Sequence, residues 1–272
     1  MSASYDAGTD EIPGDIAEPV EHVVIVGAGI AGLTAANALT HAGVSCAVVE
    51  ARTRLGGRLH TVDLSGSPVD LGGSWIHHPI GNPVRTFADE VGIACTAGDP
   101  LPQLSGHDLL ESRRLGQREL AAHLEMEFET FPAAVEGLRA ELGPNATAAE
   151  AIDIFVARAG LSDGGARRAR QALRAEIEAD AAAMSEDHSL RWLWHGDEYS
   201  GDFFGDLPVD GYRSVVAAMA SGLDVRLGFD VAEVRLSSRS AVVTSSRGEV
   251  LESSHVIVAV PLGVLKGGAP TF

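Results

Sequence analysis

An apolar, β-branched run, His22-Val-Val-Ile-Val26, ends directly on Gly27-Ala-Gly29-Ile30-Ala31-Gly32. Nothing else in the chain restricts the fold as strongly. A run of that texture, closed by glycine, predicts a strand buried on both faces. The residues that follow, LTAANALTHAG, are rich in Ala and Leu and end on Gly43, which predicts a helix with a glycine stop. Ser45-Cys-Ala-Val-Val-Glu50 predicts a second strand. Together they make a β-α-β unit of about thirty residues. Each glycine has its own task. Gly27 permits the tight turn off the strand, Gly29 lets a pyrophosphate approach the backbone, and Gly32 lets the helix lie close on the strand. The helix start offers free N–H groups and a positive dipole end to phosphates. Glu50 closes the second strand, where a carboxylate can accept both hydroxyls of a ribose. Strand, helix, glycine stop and terminal acid agree on a dinucleotide-binding unit.

The rest of the chain sorts by texture. Residues 1–20 read as a flexible acidic tail, with no basic or apolar region of the kind a signal peptide needs. Residues 51–81 are glycine-rich and read as loop, and Pro83 to Val91 as a short helix. A domain boundary is expected at 98–112, where Pro and Gly cluster. Leu115 to about Trp194 is helical in pattern, interrupted near Gly143-Pro144 and Ser162-Asp-Gly-Gly165, with Asn145-Ala-Thr147 starting one helix by capping. From Gly211 the texture returns to α/β: a helix over Tyr212–Gly222, then strands at Asp224–Leu227, Val231–Leu236, Ala241–Ser245 and His255–Val260. The expected organisation is a tail over 1–20, a first nucleotide-binding segment over 21–98, a helical domain over 99–204 and a second nucleotide-binding segment over 205–272.

Composition excludes several classes. Twenty basic against 38 acidic residues leave a net charge of −18, which speaks against a nucleic-acid backbone and against anionic lipid as partners. The longest apolar stretch, near 23–39, is broken by glycines and too short to span a bilayer. Cys46 and Cys95 form no disulfide framework and show no metal-ligand spacing, so both are expected as buried small hydrophobes. No metal is expected, and the setting expected is cytoplasmic.

Beyond Glu50 the sequence runs Ala51-Arg52-Thr-Arg54-Leu55-Gly56-Gly57-Arg58. This resembles the extended FAD motif of glutathione-reductase-like flavoproteins, in which glycines allow close passage and Arg58 offers a forked donor to phosphate oxygens. Val69-Asp70-Leu71-Gly72-Gly73-Ser74-Trp75-Ile76-His77 resembles the flavin-proximal segment of the flavin-containing amine oxidases, the polyamine oxidase branch in particular. Val258-Ala-Val260-Pro261-Leu262-Gly263-Val264-Leu265-Lys266 resembles a second segment of that family, as do Gly211-Tyr212 and Leu223-Asp-Val225. The resemblance covers roughly residues 20–95 and 205–270. One departure stands out: the family usually has Gly where this chain has His78.

The resemblance implies an α/β fold: a Rossmann-like FAD-binding domain, assembled from discontinuous segments, with a largely helical substrate domain inserted. It implies FAD as cofactor, a small-molecule amine as substrate and O2 as oxidant. A hydride would pass from the amine α-carbon to flavin N5, the imine would be released, and reoxidation would give H2O2. Residues implied at the cofactor are Gly27, Gly29, Ile30, Ala31, Gly32, Glu50, Ala51, Arg52, Gly57, Arg58, Gly72, Gly73, Ser74, Trp75, Val231 and Val260. His77 is implied to face the substrate, and Val231 to meet the adenine end through its backbone. Trp75 is either a core aromatic or a cavity wall. His78 is expected as a surface or satisfied core histidine, pointing opposite to His77 in an extended loop. Trp192, Trp194 and His195 read as a hydrophobic helix end, Lys266 as structural or solvated. The acidic run Asp197, Glu198, Asp202, Asp206 and Asp210 reads as a solvated loop that could also attract a cationic amine. The family continues well beyond the Lys266 region, so a second polypeptide supplying the C-terminal half, or a truncated product, is expected. Two alternatives stay open: another FAD oxidoreductase of this fold, such as an L-amino-acid oxidase, and a non-catalytic FAD-binding subunit.

Overall fold

The computed structural model describes residues 22–97, 106–108, 112–193, 199–201, 205–238, 240–268 and 270–272. The tail over 1–20 and most of the boundary at 98–112 lie outside them. In chain order the elements begin with β1 (His22–Val26), α1 (Ile30–His41), β2 (Ser45–Glu50), β3 (Thr61–Leu64), β4 (Ser67–Asp70), α2 (Pro83–Glu90) and β5 (Cys95–Ala97). The short β6 (His107–Asp108) and β7 (Arg113–Arg114) precede α3 (Gln117–Glu125), a π-helical turn over Met126–Thr130, α4 (Phe131–Leu142), α5 (Ala148–Arg158) and α6 (Asp163–Ala181). Then come β8 (Asp206–Pro208), α7 (Arg213–Ala220), β9 (Asp224–Leu227), β10 (Val231–Leu236), β11 (Ala241–Ser245), β12 (Val250–Ser253), β13 (His255–Val258) and α8 (Leu262–Lys266). The chain divides into two compact units, Met1–Gly98 with Tyr199–Phe272, and Asp99–Glu198.

The first unit is built on a four-stranded sheet of order β13-β1-β2-β9. Every pairing in it is parallel: Val24 lies opposite Val256 on one side and Ala47 on the other, and Val48 lies opposite Val225. Both faces of β1 are covered, which is why its sequence is continuously apolar and not alternating. Val23, Ile25 and Val48 pack with Leu33 and Ala36 of α1 and Val216 of α7. Val24, Val26 and Val49 pack against Phe229, Val231, Val234 and Val243, contributed largely by the antiparallel sheet β10-β11-β12. The fold is therefore the parallel-sheet α/β architecture expected.

Several local expectations change. Residues 51–81 are not all loop, because β3 and β4 form an antiparallel hairpin, Thr61 opposite Asp70. Its two turn residues, Ser65 (φ 51°) and Gly66 (φ 85°), both take positive φ, as a two-residue primed turn requires. The strand β12 adds to those expected and pairs antiparallel with β11. The helical pattern breaks just before Ser162, as expected, but Gly164 and Gly165 lie inside the next helix, which Ser162 starts: its Oγ accepts from the Gly165 amide at 3.3 Å. Cys46 and Cys95 are half-buried, not buried.

The second unit is helical. Thr147 caps α5 with a reciprocal capping box to Glu150. Phe131, Val135 and Leu138 on α4, Ile152 and Val156 on α5, and Leu173 and Ile177 on α6 recur at helical spacing and form one core. Arg139 reaches from α4 to the carbonyls of Leu190 and Leu193 and so ties down the chain after α6.

Glu127, in the π-helical turn, is half-buried. Burial first, then repulsion from and hydrogen bonding with Glu176, push its carboxyl up to about 7. The folded state thus holds a proton that the unfolded chain releases in the ordinary carboxylate range. Stability from this group is complete at low pH, declines between that range and about pH 7, and is constant above it. Glu127→Gln is expected to remove that decline. The check is the difference in denaturation midpoint between variant and parent at pH 5 and pH 7.5, since other carboxyls contribute equally to both.

Candidate functional site

At the carboxyl end of β1 the chain turns through three glycines with three different surroundings. Gly27 takes φ 109°, its amide donates to the Val49 carbonyl at 2.8 Å, and a Cβ there would stand 2.8 Å from the Ala259 carbonyl oxygen. Gly32, one turn into α1, faces back onto that bend: a Cβ on it would stand 1.9 Å from the Gly27 carbonyl oxygen. Gly29 is different. A Cβ on it would meet nothing within 4 Å. The protein's own packing therefore gives no reason for glycine at 29, whereas a phosphate brought against the backbone does.

Gly29 is also the N-cap of α1, extended at φ −77° and ψ 178°, with no side-chain cap and no acid in the first turn. The opening amides of a helix, here those of Ile30, Ala31 and Gly32, lack intrahelical acceptors. They are free to receive an anion, and the dipole favours one.

Glu50, at the end of β2, is 9% exposed. Its Oε2 accepts from the Ala28 amide and its Oε1 from the Arg52 amide, both at 2.9 Å. The carboxylate thus fixes the glycine turn from below and keeps lone pairs for further donors. Gly228 and Phe229 donate to the carbonyls of Arg52 and Glu50, each at 2.9 Å, which brings the segment leading into Val231 to the same place. Val231 is buried and begins β10 at a register shift against β11. Val260, half-buried, borders Gly27 just after β13.

The second glycine stretch lies on the first. Gly56 pairs with Gly29 in a parallel bridge, its amide donates to the Ala28 carbonyl at 2.9 Å, and a Cβ on Gly57 would stand 3.3 Å from the Gly29 Cα. The arginines divide their work. Arg54 donates to the carbonyls of Gly57, Leu55 and Leu59 at 2.9, 3.1 and 3.3 Å, so it shapes the loop. Arg58 is exposed, and among the described residues its guanidinium has no hydrogen-bond or ion-pair partner. Ala51 and Arg52 are exposed beside it. Gly72 passes so near this limb that a Cβ would lie 1.8 Å from the Arg58 carbonyl oxygen, and the Gly73 amide points at that oxygen from 3.4 Å. Ser74 Oγ donates back to the Gly72 carbonyl at 3.2 Å.

Beyond Ser74 the side chains alternate. Ile76 is buried, while Trp75, 40% exposed, and His77 face outward with ring centroids 5.9 Å apart, edge to face. Trp75 is therefore no core aromatic. The alternation stops at His78, which sits at φ 46° with its Nδ1 3.2 Å from the Gly201 carbonyl oxygen. The loop is not extended there, contrary to the expectation of opposed histidines. Glycine adopts that conformation without cost, which is the physical sense of the departure at this position.

Asp206 is engaged by Arg85 Nε at 2.6 Å, so it is not a free surface charge, whereas Asp210 is exposed. Trp192 is exposed with the Arg191 guanidinium 5.0 Å from its ring. Lys266 is exposed on α8. Trp194, His195, Asp197, Glu198 and Asp202 lie outside the described residues. Among the described residues no three His, Cys, Asp or Glu side chains gather to hold a metal ion, and no helix is long and apolar enough to cross a membrane.

The assembled group has open space at Gly29, unsatisfied helix amides, an acceptor carboxylate and an outward arginine, at the strand ends where open α/β sheets bind nucleotides. These features fit a dinucleotide. Comparison with known proteins agrees. A family model described as flavin containing amine oxidoreductase matches residues 30–272. Polyamine oxidase 3 of Oryza sativa subsp. japonica is 34% identical over 261 residues, covering 92% of this chain and 53% of that protein. Polyamine oxidase 2 of Arabidopsis thaliana is 32% identical over 262 residues, with the same coverage. The chain thus spans about half the length of these curated relatives. Among solved structures, a triple mutant of putrescine oxidase with redesigned cofactor binding matches with a TM-score of 0.68 at 21% identity, over 91% of this chain and 60% of that one. At that identity the match speaks to the fold alone.

Proposed function

The chain belongs to the flavin containing amine oxidoreductases, whose cofactor is FAD, and from that premise we propose that it takes part in oxidising a small-molecule amine, with O2 as the final acceptor. The observation that carries the reading is the Gly29 opening, bounded by free helix amides and the Glu50 carboxylate. FAD, when bound, supplies the acceptor for a hydride leaving the carbon next to the amine nitrogen. The chain's own groups hold and shield. Ile30, Ala31 and Gly32 amides receive phosphate oxygens, and Arg58 adds a forked donor to them. Glu50 accepts the ribose hydroxyls. Gly72 and Gly73 keep the 72–77 segment close enough to run beside a ring, with Ser74 bracing it. Trp75 forms a wall, and His77 takes a proton from the incoming ammonium, so that the nitrogen lone pair can form the C=N bond as the hydride departs. Val231 and Val260 border the nucleotide. The helical unit serves as the substrate domain, and the reaction yields imine and H2O2. The comparisons lend no support to a second polypeptide.

The experiment is to load the purified chain with FAD and titrate it anaerobically with putrescine, spermidine and spermine. Bleaching of the visible flavin band by at least one of them, with H2O2 formed on readmitting air, is the expected result. A flavin that stays oxidised with all three would overturn the oxidase reading and leave a nucleotide-binding module.

A further inference from the structure

The hairpin β3–β4, the start of α7 and the Trp75 segment are joined by one connected set of hydrogen bonds. The Asp70 carboxylate, at the end of β4, accepts from Thr61 Oγ1 and, at 3.2 Å to each oxygen, from the Tyr212 amide. Thr61 Oγ1 in turn accepts from the Arg213 amide at 2.9 Å. Two of the opening amides of α7 region are therefore satisfied by the hairpin, although no residue of α7's own N-terminus caps it. Gly211 takes φ 71° and lies so close to the hairpin that a Cβ would stand 2.5 Å from Thr61 Cγ2. The close approach and the positive φ together explain glycine at that position.

Tyr212 extends this anchor to the segment that carries Trp75 and His77. Its ring is buried with Ile76 and Val215, and its phenol donates to the Trp75 carbonyl at 3.1 Å. Burial first, and the nearby Asp70 charge second, hold the phenol up at about 12, so it stays a donor at every working pH. A bond to the Trp75 carbonyl fixes the peptide plane between Trp75 and Ile76. Across that plane Ile76 points into the core, and Trp75 and His77 point out. On its other edge the segment is held by the Ile76 amide, which donates to the Asp206 carbonyl at 2.8 Å.

We propose that Tyr212, anchored through its amide by Asp70, is the positioning residue that sets how Trp75 and His77 are presented beside the bound flavin. The inference rests on the function proposed above, but half of its test is independent of it. Tyr212→Phe keeps the ring in the core and deletes only the O–H. The loss of one neutral hydrogen bond corresponds to roughly a fivefold change in an equilibrium. Amide hydrogen exchange at Ile76 in the cofactor-free chain should quicken about fivefold, with exchange in β1 and α1 unchanged. In the FAD-loaded chain the dissociation constant should rise about fivefold and the visible flavin spectrum should shift. Asp70→Asn, which loosens the anchor while leaving the phenol, should move both readouts in the same direction.

Unchanged exchange at Ile76 in Tyr212→Phe would overturn the proposal. So would quickened exchange with FAD affinity and spectrum identical to the parent, because Tyr212 would then be a packing residue only. A parent chain that takes up no FAD at all would refute the function proposed above. A parent that binds FAD, with a variant that binds it identically, would refute this inference alone.

Discussion

Gly29→Val is expected to give a folded chain that has lost FAD. The isopropyl group would enter space that no protein atom within 4 Å of the Cβ claims. The cost to folding is confined to the change at an N-cap, up to about 1 kcal/mol. The cost to the cofactor is much larger, because the side chain would occupy the place from which a pyrophosphate reaches the helix amides. Affinity should fall by roughly a hundredfold or more, which corresponds to about 2.7 kcal/mol. The measurement pairs a thermal melt without cofactor with FAD titration followed by flavin fluorescence. A variant that melts near the parent and binds FAD as tightly would remove the pyrophosphate from this turn.

Gly32→Ala is expected to do the opposite, although it adds only one methyl group three residues away. Its Cβ would stand 1.9 Å from a backbone carbonyl oxygen, so strand, turn or helix must shift. That carbonyl belongs to a bend pinned by the Val49 carbonyl and bordered by Ala259 and cannot retreat cheaply. Overpacking against immobile backbone should cost about 3 kcal/mol or more. For a unit of this size that lowers the melting temperature by roughly 6–12 °C. FAD loss in this variant should follow loss of structure, and the cofactor-free melt separates it from Gly29→Val. A parent-like melt would mean that the helix can slide off the strand.

The contrast shows which parts of the site were legible in sequence. The glycine turn, Glu50 and the flanking strands are local, spaced within one supersecondary unit, and each residue type has a single physical reason to be there. The α/β class followed from the continuous apolar texture of β1. The hairpin β3–β4 was missed because its strands are short and Pro68 sits inside one, yet Ser65-Gly66 between two four-residue runs was the available signal. The roles of Arg54 and Arg58 could not be told apart by spacing, since the choice depends on which guanidinium finds carbonyls within reach. The Asp70–Tyr212 contact joins residues 142 positions apart and leaves no trace in either local sequence. The conformation of His78 is likewise set by its neighbours in space, not by its neighbours in the chain.

The strand order β13-β1-β2-β9 has a consequence for how the chain emerges from the ribosome. Strands β1 and β2 are made first, but both of their outer partners lie beyond the whole helical unit: Val23 pairs with His255 and Ala47 with Asp224. At roughly 10 residues per second, about twenty seconds separate synthesis of β1 from synthesis of its partner β13. Through that interval a β-branched, apolar β-α-β fragment carries two open strand edges, while the helical unit, one continuous stretch of chain over Asp99–Glu198, has already been made. Nascent chains of this protein are thus most exposed to mispairing before residue 224 appears, and substitutions that slow the docking of β9 or β13 act on yield in the cell more strongly than on the stability of the finished fold.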